Sequence, residues 1–365
     1  MSDCLAAVVT DVLAPVELRR VPLPDLSDGD ILARVDAATL CGTDVHYWQG
    51  DLIPAESRPY VPGHETAAIV EEVRGNRLDV LGQPVVKGDR IIASYTHCGH
   101  CYFCTVAGQT NLCVNSYAFG RQRADVFPYV QGGCAEYHYY PPTSDVVKVP
   151  EEVSSPLAAS AACALRTVVH GFERLGAIEP HETVVVQGCG PLGLYASALA
   201  RDRGAAKVIV IGAPAERLAV AKDWGADETL NIDEVADAAD RISWVREQTR
   251  GIGPDIVVQC ATSAANPEGL TMVRRGGRFV AIGVEGRDMT LPGGLITVKS
   301  LQVNGVIGAV GRHFYKALQF LATRQDRFPF ERLISGTYTL DTVTDALQAM
   351  SEFREVKPVV LPRTG

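Results

Sequence analysis

The order of apolar and polar positions gives the chain two textures. Over the first 150 residues, short apolar runs at 31–35, 67–73 and 90–93 are interrupted by Pro22, Pro24, Gly29, Pro62, Gly63, Gly88 and the Pro141-Pro142 pair. Runs of this length between turn residues predict strands, so this half reads as β-rich. From about Pro156 the period changes. An Ala-rich segment over 157–175 has helical spacing, and an apolar run over 183–187 leads through a glycine turn into a helix over 192–203. Strand 207–211, helix 215–224, strand 256–260, helix 267–273 and strand 278–282 follow. Strands alternating with helices in this rhythm predict a doubly wound parallel sheet, hence an α/β fold. Beyond Gly308 the alternation stops, leaving helices over 314–323 and 341–351 and a terminal strand over 357–361.

A chain of 365 residues is too long for one ordinary core, so two domains are expected. Apolar residues at 47% and charged residues at 21% fit a globular balance. The net charge of −9 argues against nucleic acid or an anionic membrane as partner, since both call for a basic face. No run of about 18 apolar residues could span a bilayer. The opening Met1-Ser2-Asp3-Cys4-Leu5 is not a basic segment leading into an apolar one, so a cytoplasmic location is expected. In that reducing setting the ten cysteines need another reason than disulfides, and clustered ones point to metal or catalysis.

The cluster reads Cys98-Gly-His-Cys101-Tyr-Phe-Cys104, then eight residues, then Cys113. Thiolates are the ligands zinc prefers in closed tetrahedral sites, and two-residue gaps let neighbouring sulfurs reach one ion. The same start occurs in ferredoxin-type iron–sulfur runs, but no second cysteine group or Cys-Pro terminus accompanies it here. The loop has no apolar core of its own, so a metal should supply its order. His97 and His100 between these cysteines are expected to face solvent. A second set is dispersed: Cys41-Gly42-Thr43-Asp44-Val45-His46, then Gly63-His64-Glu65. Cysteine with histidine suits a zinc that keeps one position open, although a lone cysteine or histidine is more often a core residue.

The stretch Val184-Val185-Val186-Gln187-Gly188-Cys189-Gly190-Pro191-Leu192-Gly193 sets G-x-G-x-x-G between a strand and a helix. Gly188 serves the tight turn, Gly190 the approach of a pyrophosphate, and Gly193 close packing of helix on strand. Pro191 and Leu192 open the helix whose N-terminus favours phosphate. An acid about twenty residues on should hold the adenine ribose, but Gly212 and Ala213 stand there. Arg217 lies close by, either near the ribose or as a plain helix-surface charge.

Taken together, the CGTDVHYW run, the GHE triplet, the four-cysteine lobe and the glycine turn resemble the zinc-containing medium-chain dehydrogenases. The first run is especially similar to the sorbitol and threonine dehydrogenase branch. The resemblance implies a GroES-like β-rich catalytic domain from both chain ends (1–165 and 309–365), with a Rossmann domain (166–308) inserted. It implies a catalytic zinc on Cys41, His64 and Cys163, although Cys163 could instead be a small core residue on its Ala-rich helix. Glu65 would approach that zinc, and Asp44 would accept the other ring N–H of His64. A structural zinc would sit on Cys98, Cys101, Cys104 and Cys113, where the last gap is one residue longer than the family's usual seven.

The same resemblance implies the chemistry and the cofactor contacts. Zinc lowers the pKa of the bound alcohol, Thr43 takes the hydroxyl proton, and the proton leaves through the nicotinamide ribose and His46. Hydride passes to NAD or NADP; family frequency leans to NAD, while the missing acid at Gly212 removes the usual reason for it. Thr167 would lie against the nicotinamide, Cys260, Ala261, Thr262, Ile282, Gly283 and Val284 would line its far side, and Lys357 would meet the pyrophosphate or face solvent. Ser94, four residues before Cys98, stands where the pocket wall often carries a bulky side chain. With Trp48 and Phe119 nearby it hints at room for a cyclic alcohol, unless those aromatics are core. The expected activity is reversible oxidation of a secondary or cyclic alcohol to a ketone or aldehyde by a homodimer or homotetramer. A polyol dehydrogenase is the nearest rival, and a non-catalytic NAD(P)-binding protein a more distant one.

Overall fold

The apolar runs of the second texture become the strands of one parallel sheet. The computed structural model describes residues 3–284, 290–291 and 293–363. It divides into two units, one formed by Thr167–Gly308 with Arg324–Pro329 and the other by the remaining residues of both chain ends. In the first, six strands lie in the order Glu228–Asn231, Lys207–Gly212, Thr183–Gln187, Ile256–Gln259, Arg278–Ala281 and Gln302–Gly305, each parallel to its neighbour. Val184, Val185, Val186, Val208, Ile209, Val210, Ile256, Val257 and Val258 are all fully buried, as strands covered on both faces require. The strand order reverses at Thr183–Gln187, and doubly wound sheets bind ligands in the crevice beyond the carboxyl ends at such a reversal.

Three elements of this unit escape the apolar pattern. Strand Glu228–Asn231, helix Ala238–Gln248 and strand Gln302–Gly305 are mostly polar or exposed, and the helix buries only Val245. Two of them are edge strands, which need a neighbour on one side and no continuous apolar run.

The other unit is β-rich. A seven-stranded sheet runs through Gly336–Tyr338, Pro358–Val360, Ile31–Thr39, Glu65–Val73, Arg90–Thr96 and Ser144–Lys148, with Tyr137–Tyr140 also paired to Ile31–Thr39. Strand Pro358–Val360 pairs antiparallel with Ile31–Thr39, so the C-terminal strand completes a sheet begun near the N-terminus. Alternate residues Ile31, Ala33, Ala68, Val70, Ile91 and Ala93 face one core with Phe119 and Val146.

The helix expected over 157–175 is not continuous. It comprises Ser155–Ser160, a π-turn at Ala161–Leu165, and Arg166–Leu175. Such widened turns are frequent at functional sites, and this one carries Cys163.

Candidate active site

Cys41 is the N-cap of helix Gly42–Gln49. Its Sγ accepts from the Thr43 N–H at 3.4 Å, while Asp44 Oδ2 accepts from the Cys41 N–H at 2.9 Å, a reciprocal cap. The other oxygen of Asp44 accepts from the Gly63 N–H at 3.1 Å and lies 3.1 Å from His64 Nδ1. One carboxylate, 1% exposed, therefore pins both loops. With Nδ1–H donated to Asp44, Nε2 is left as the metal-facing atom, and it stands 3.4 Å from Cys41 Sγ. Glu65 opens the next strand, and the π-turn brings Cys163 in from residues far along the chain.

Ligand atoms of Cys41, His64, Glu65 and Cys163 all lie within 4.8 Å of one another. A tetrahedral zinc with ordinary Zn–S and Zn–N lengths sets an S···N edge of about 3.6 Å, so this donor set fits one ion. The Cys41 thiol lies well below its ordinary pKa because Cys163 hydrogen-bonds to it, with His64 and Lys357 adding positive charge against the cost of burial. Thr43 and His46 are three residues apart on the helix and so share a face. His46 is 40% exposed at its side chain, with Nδ1 3.3 Å from Asp51.

Lys357 departs from both expectations. It is neither solvent-facing nor open to a pyrophosphate: it is fully buried, and Nζ lies 2.8 and 2.6 Å from the two oxygens of Glu65. A buried ammonium needs a counter-charge, and Glu65 supplies it. Thr39 Oγ1 donates to the same carboxylate at 2.5 Å, and desolvation pushes the Glu65 carboxyl up to about 7 despite the lysine.

Ser94 is buried and its hydroxyl is spent on the backbone. Its hydroxyl donates to the Tyr95 carbonyl and accepts from the Asp145 N–H, both at 2.9 Å, and it is 4% exposed. The bulky side chain at the site is the next residue, Tyr95, whose ring centroid is 6.3 Å from that of His64. The pairing of Arg90–Thr96 with Ser144–Lys148 shifts register between Ala93 and Thr96, so regular alternation is interrupted at these two residues and Tyr95 rather than Ser94 neighbours His64. Trp48 and Phe119 are core, the indole donating to the Ala14 carbonyl at 2.8 Å.

In the cysteine lobe the four sulfurs also lie within 4.8 Å of one another, with Cys101 Sγ 3.5 Å from Cys104 Sγ and 3.9 Å from Cys113 Sγ. The edge of a tetrahedral zinc–thiolate site is about 3.8 Å, so the lobe has the spacing of a single ion. Tyr102, Val106 and Val114 are 65–71% exposed, so apolar burial does not order this loop. His100 is exposed, whereas His97 is half-buried against Asp145 at 3.1 Å rather than solvent-facing.

The unit of Thr167–Gly308 assembles the expected dinucleotide segments at the carboxyl ends of adjacent strands. Gly188 has φ +103° and its N–H donates to the Ile211 carbonyl at 2.7 Å. Gly190 precedes Pro191 at the start of helix Pro191–Asp202, and a side chain there would meet nothing, leaving the open cradle a phosphate group needs. A side chain at Gly193 would collide with the Gly188 carbonyl, and one at Gly283 with the Ala261 carbonyl. Cys260, Ala261 and Thr262 follow strand Ile256–Gln259, and Ile282, Gly283 and Val284 follow strand Arg278–Ala281. Thr167 lies buried in helix Arg166–Leu175, and Arg217 half-buried in helix Ala215–Asp223.

Comparison with known proteins places these features in a family. Residues 27–151 match the alcohol dehydrogenase GroES-like domain, and residues 191–323 match the zinc-binding dehydrogenase domain. A 5-exo-hydroxycamphor dehydrogenase of Pseudomonas putida is 32% identical over 351 residues, covering 94% of this chain and 95% of that protein. The chain belongs to the zinc-containing medium-chain alcohol dehydrogenase family. Among solved structures, an alcohol dehydrogenase of Thermotoga maritima has a TM-score of 0.91 at 30% identity, covering 99% of this chain and 100% of that one. A dehydrogenase of Sinorhizobium meliloti bound to NADP has a TM-score of 0.85 at 28% identity, with the same coverage. The two units thus carry the GroES-like and Rossmann architectures of this family.

For an alcohol dehydrogenase of this family, Gly212 has a steric explanation as well as a chemical one. A Cβ there would lie 2.7 Å from Cys189 Sγ and 3.0 Å from Cys189 N. The thiol itself donates to the Ala213 carbonyl at 3.1 Å and is 2% exposed. Installing the ribose-binding acid by Gly212→Asp alone should therefore fail to give a clean switch to NAD. Overpacking of this kind costs about 1–3 kcal/mol, so Tm and the affinities for NADH and NADPH should fall together. Titrations of both cofactors with a parallel melt check this; tighter NADH binding at an unchanged Tm would show that Cys189 yields freely.

Proposed function

We propose that this chain is a zinc-dependent, NAD(P)-linked alcohol dehydrogenase that reversibly oxidises an alcohol to a ketone or aldehyde. The observation that carries the reading is the convergence of Cys41, His64, Glu65 and Cys163 from three separated segments, in a chain that also holds a strand–glycine turn–helix. A bound zinc would act there as a Lewis acid on the substrate hydroxyl, and NAD(P) would accept the hydride.

The chain's own groups do the rest. Cys41, His64 and Cys163 hold the metal, and Asp44 fixes the tautomer and angle of His64. Thr43 accepts the hydroxyl proton, and His46, one turn further along and exposed, releases it to solvent. Lys357 holds Glu65 as a neutralised neighbour of the ligands. Gly188, Gly190 and Gly193, with Pro191 and Leu192, seat the pyrophosphate at the start of the helix, and Thr167, Cys260–Thr262 and Ile282–Val284 serve the nicotinamide. With no acid at Gly212 both cofactors should be accepted, with a lean to NAD. A secondary or cyclic alcohol is the favoured substrate, in keeping with the relative named for 5-exo-hydroxycamphor. The catalytic domain then spans 1–165 and 309–365, and the cofactor domain 166–308.

Zinc per chain and an activity screen over alcohols and polyols with both cofactors test this reading. Two zinc ions with alcohol-dependent NAD(P)H formation are expected; a metal-free chain that binds cofactor without turnover would overturn it. The second zinc belongs to the cysteine lobe and acts on stability. Cys101→Ser should lose one zinc per chain and lower Tm, while kcat of the folded fraction stays near the parent value. Unchanged Tm with activity alone lost would move the catalytic role to the lobe.

A further inference from the structure

Arg166 is a charged residue in an otherwise apolar stretch, Ala161-Ala162-Cys163-Ala164-Leu165-Arg166, and it has no part in metal binding or proton transfer as proposed for this site. It is 3% exposed, immediately after the π-turn and three residues beyond Cys163. Nε donates to the Ala162 carbonyl at 2.8 Å. Two aromatic rings flank the guanidinium, Tyr95 at 5.3 Å and Phe314 at 5.2 Å from its carbon. Among the described residues no carboxylate lies within 4.0 Å of it.

That arrangement is unlike the other charges near the site. Glu65 and Lys357 neutralise each other, and the Asp44 carboxylate is occupied by the N–H groups of Cys41 and Gly63 and by His64. The Cys41 and Cys163 thiolates would be offset by a divalent zinc. Among the described residues these charges leave no anion for Arg166. Aromatic faces attract a cation and hold it in place, but they take none of its five N–H donors. With only Nε shown donating, the guanidinium has donors to offer, and its planar fork fits a carboxylate or phosphate with two parallel bonds. Its place fixes which molecule brings that oxyanion. The Tyr95 ring that lies 5.3 Å from the Arg166 guanidinium carbon also lies 6.3 Å from the His64 ring, so the cation and the metal-facing imidazole share one aromatic neighbour.

We propose that Arg166 is the substrate-anion site, selecting alcohols that carry a carboxylate or phosphate a few atoms from the hydroxyl. This rests on the reading of Cys41, His64 and Cys163 as the alcohol site. Tyr95 and Phe314 act as positioning residues that hold the guanidinium.

The test compares matched pairs on the zinc-loaded full chain: 3-hydroxybutyrate against its methyl ester, and glycerol 3-phosphate against glycerol. Binding is measured by calorimetry and kcat/KM with both cofactors. The parent should prefer the charged member of at least one pair by about tenfold or more, the scale of a charge-assisted hydrogen bond, mainly through Kd and KM. Which pair shows it separates carboxylate from phosphate. Arg166→Met should bring that ratio to about one while turnover of the uncharged member persists, and Arg166→Lys should keep part of it. Equal binding of both members of both pairs by the parent overturns the proposal, even if Arg166→Met fails to fold. So does an unchanged ratio in Arg166→Met. Tighter binding of the anion with no alcohol turnover at all would sink the dehydrogenase reading and leave the anion site standing.

Discussion

Cys163→Ala is expected to abolish alcohol turnover while the chain keeps one of two zinc ions. Cys163 is the single thiolate that the helical segment contributes to a cluster otherwise built from loops around Cys41 and His64. An open zinc site has only three protein ligands besides its exchangeable position, so losing one removes a third of the donor set and affinity falls steeply. Alanine deletes only the sulfur in a π-turn already made of Ala161, Ala162 and Ala164, so the fold should tolerate it. Metal analysis and kcat on the purified variant read the two effects separately. Two zinc ions with normal kcat would return Cys163 to the role of a small core residue. The lobe zinc should be indifferent to the change, because its four sulfurs lie together in the segment 98–113.

The second large effect is on proton transfer. Thr43→Val keeps the branched shape and deletes only the hydroxyl, and the backbone N–H of residue 43 that meets Cys41 Sγ remains. A group that accepts a proton in the transition state contributes roughly 10²–10⁴-fold, so kcat should fall within that range while zinc content stays at two. His46 stands three residues on, at the exposed end of the same face, and its loss should be milder because solvent can replace it. A stopped-flow pH profile of the hydride step checks the assignment. Unaltered rate and pH dependence in Thr43→Val would leave the residue as turn structure.

Much of this molecule could be read before its fold was known. The β-rich start, the strand–helix alternation and the position of the glycine turn follow from local periodicity, which reports burial directly when a strand is covered on both faces. The cysteine lobe is equally legible, because its four ligands lie within 16 residues and their spacing alone constrains the geometry. Cys41 with His64 needed resemblance to be joined, since neither fragment carries enough information by itself.

What stayed hidden depends on contacts between residues far apart in sequence. Lys357 reads as a pyrophosphate contact or a surface cation, yet the strand Pro358–Val360 docks beside Ile31–Thr39 and delivers its ammonium to Glu65, 292 residues away. Tyr95 rather than Ser94 neighbours His64 because the pairing of Arg90–Thr96 with Ser144–Lys148 shifts register between Ala93 and Thr96, and no local pattern announces that irregularity. Gly212 reads as a lost carboxylate until the fold presses it against Cys189. Arg166 did leave a signal, a charge within an alanine-rich apolar run, but its meaning lies in having aromatic neighbours and, among the described residues, no carboxylate. Local sequence determined the elements and the ligand types, because hydrophobic period and short-range spacing are local quantities. Only tertiary structure decided which charges are paired, which faces meet the site and where a side chain has room, because those are set by what packs against them.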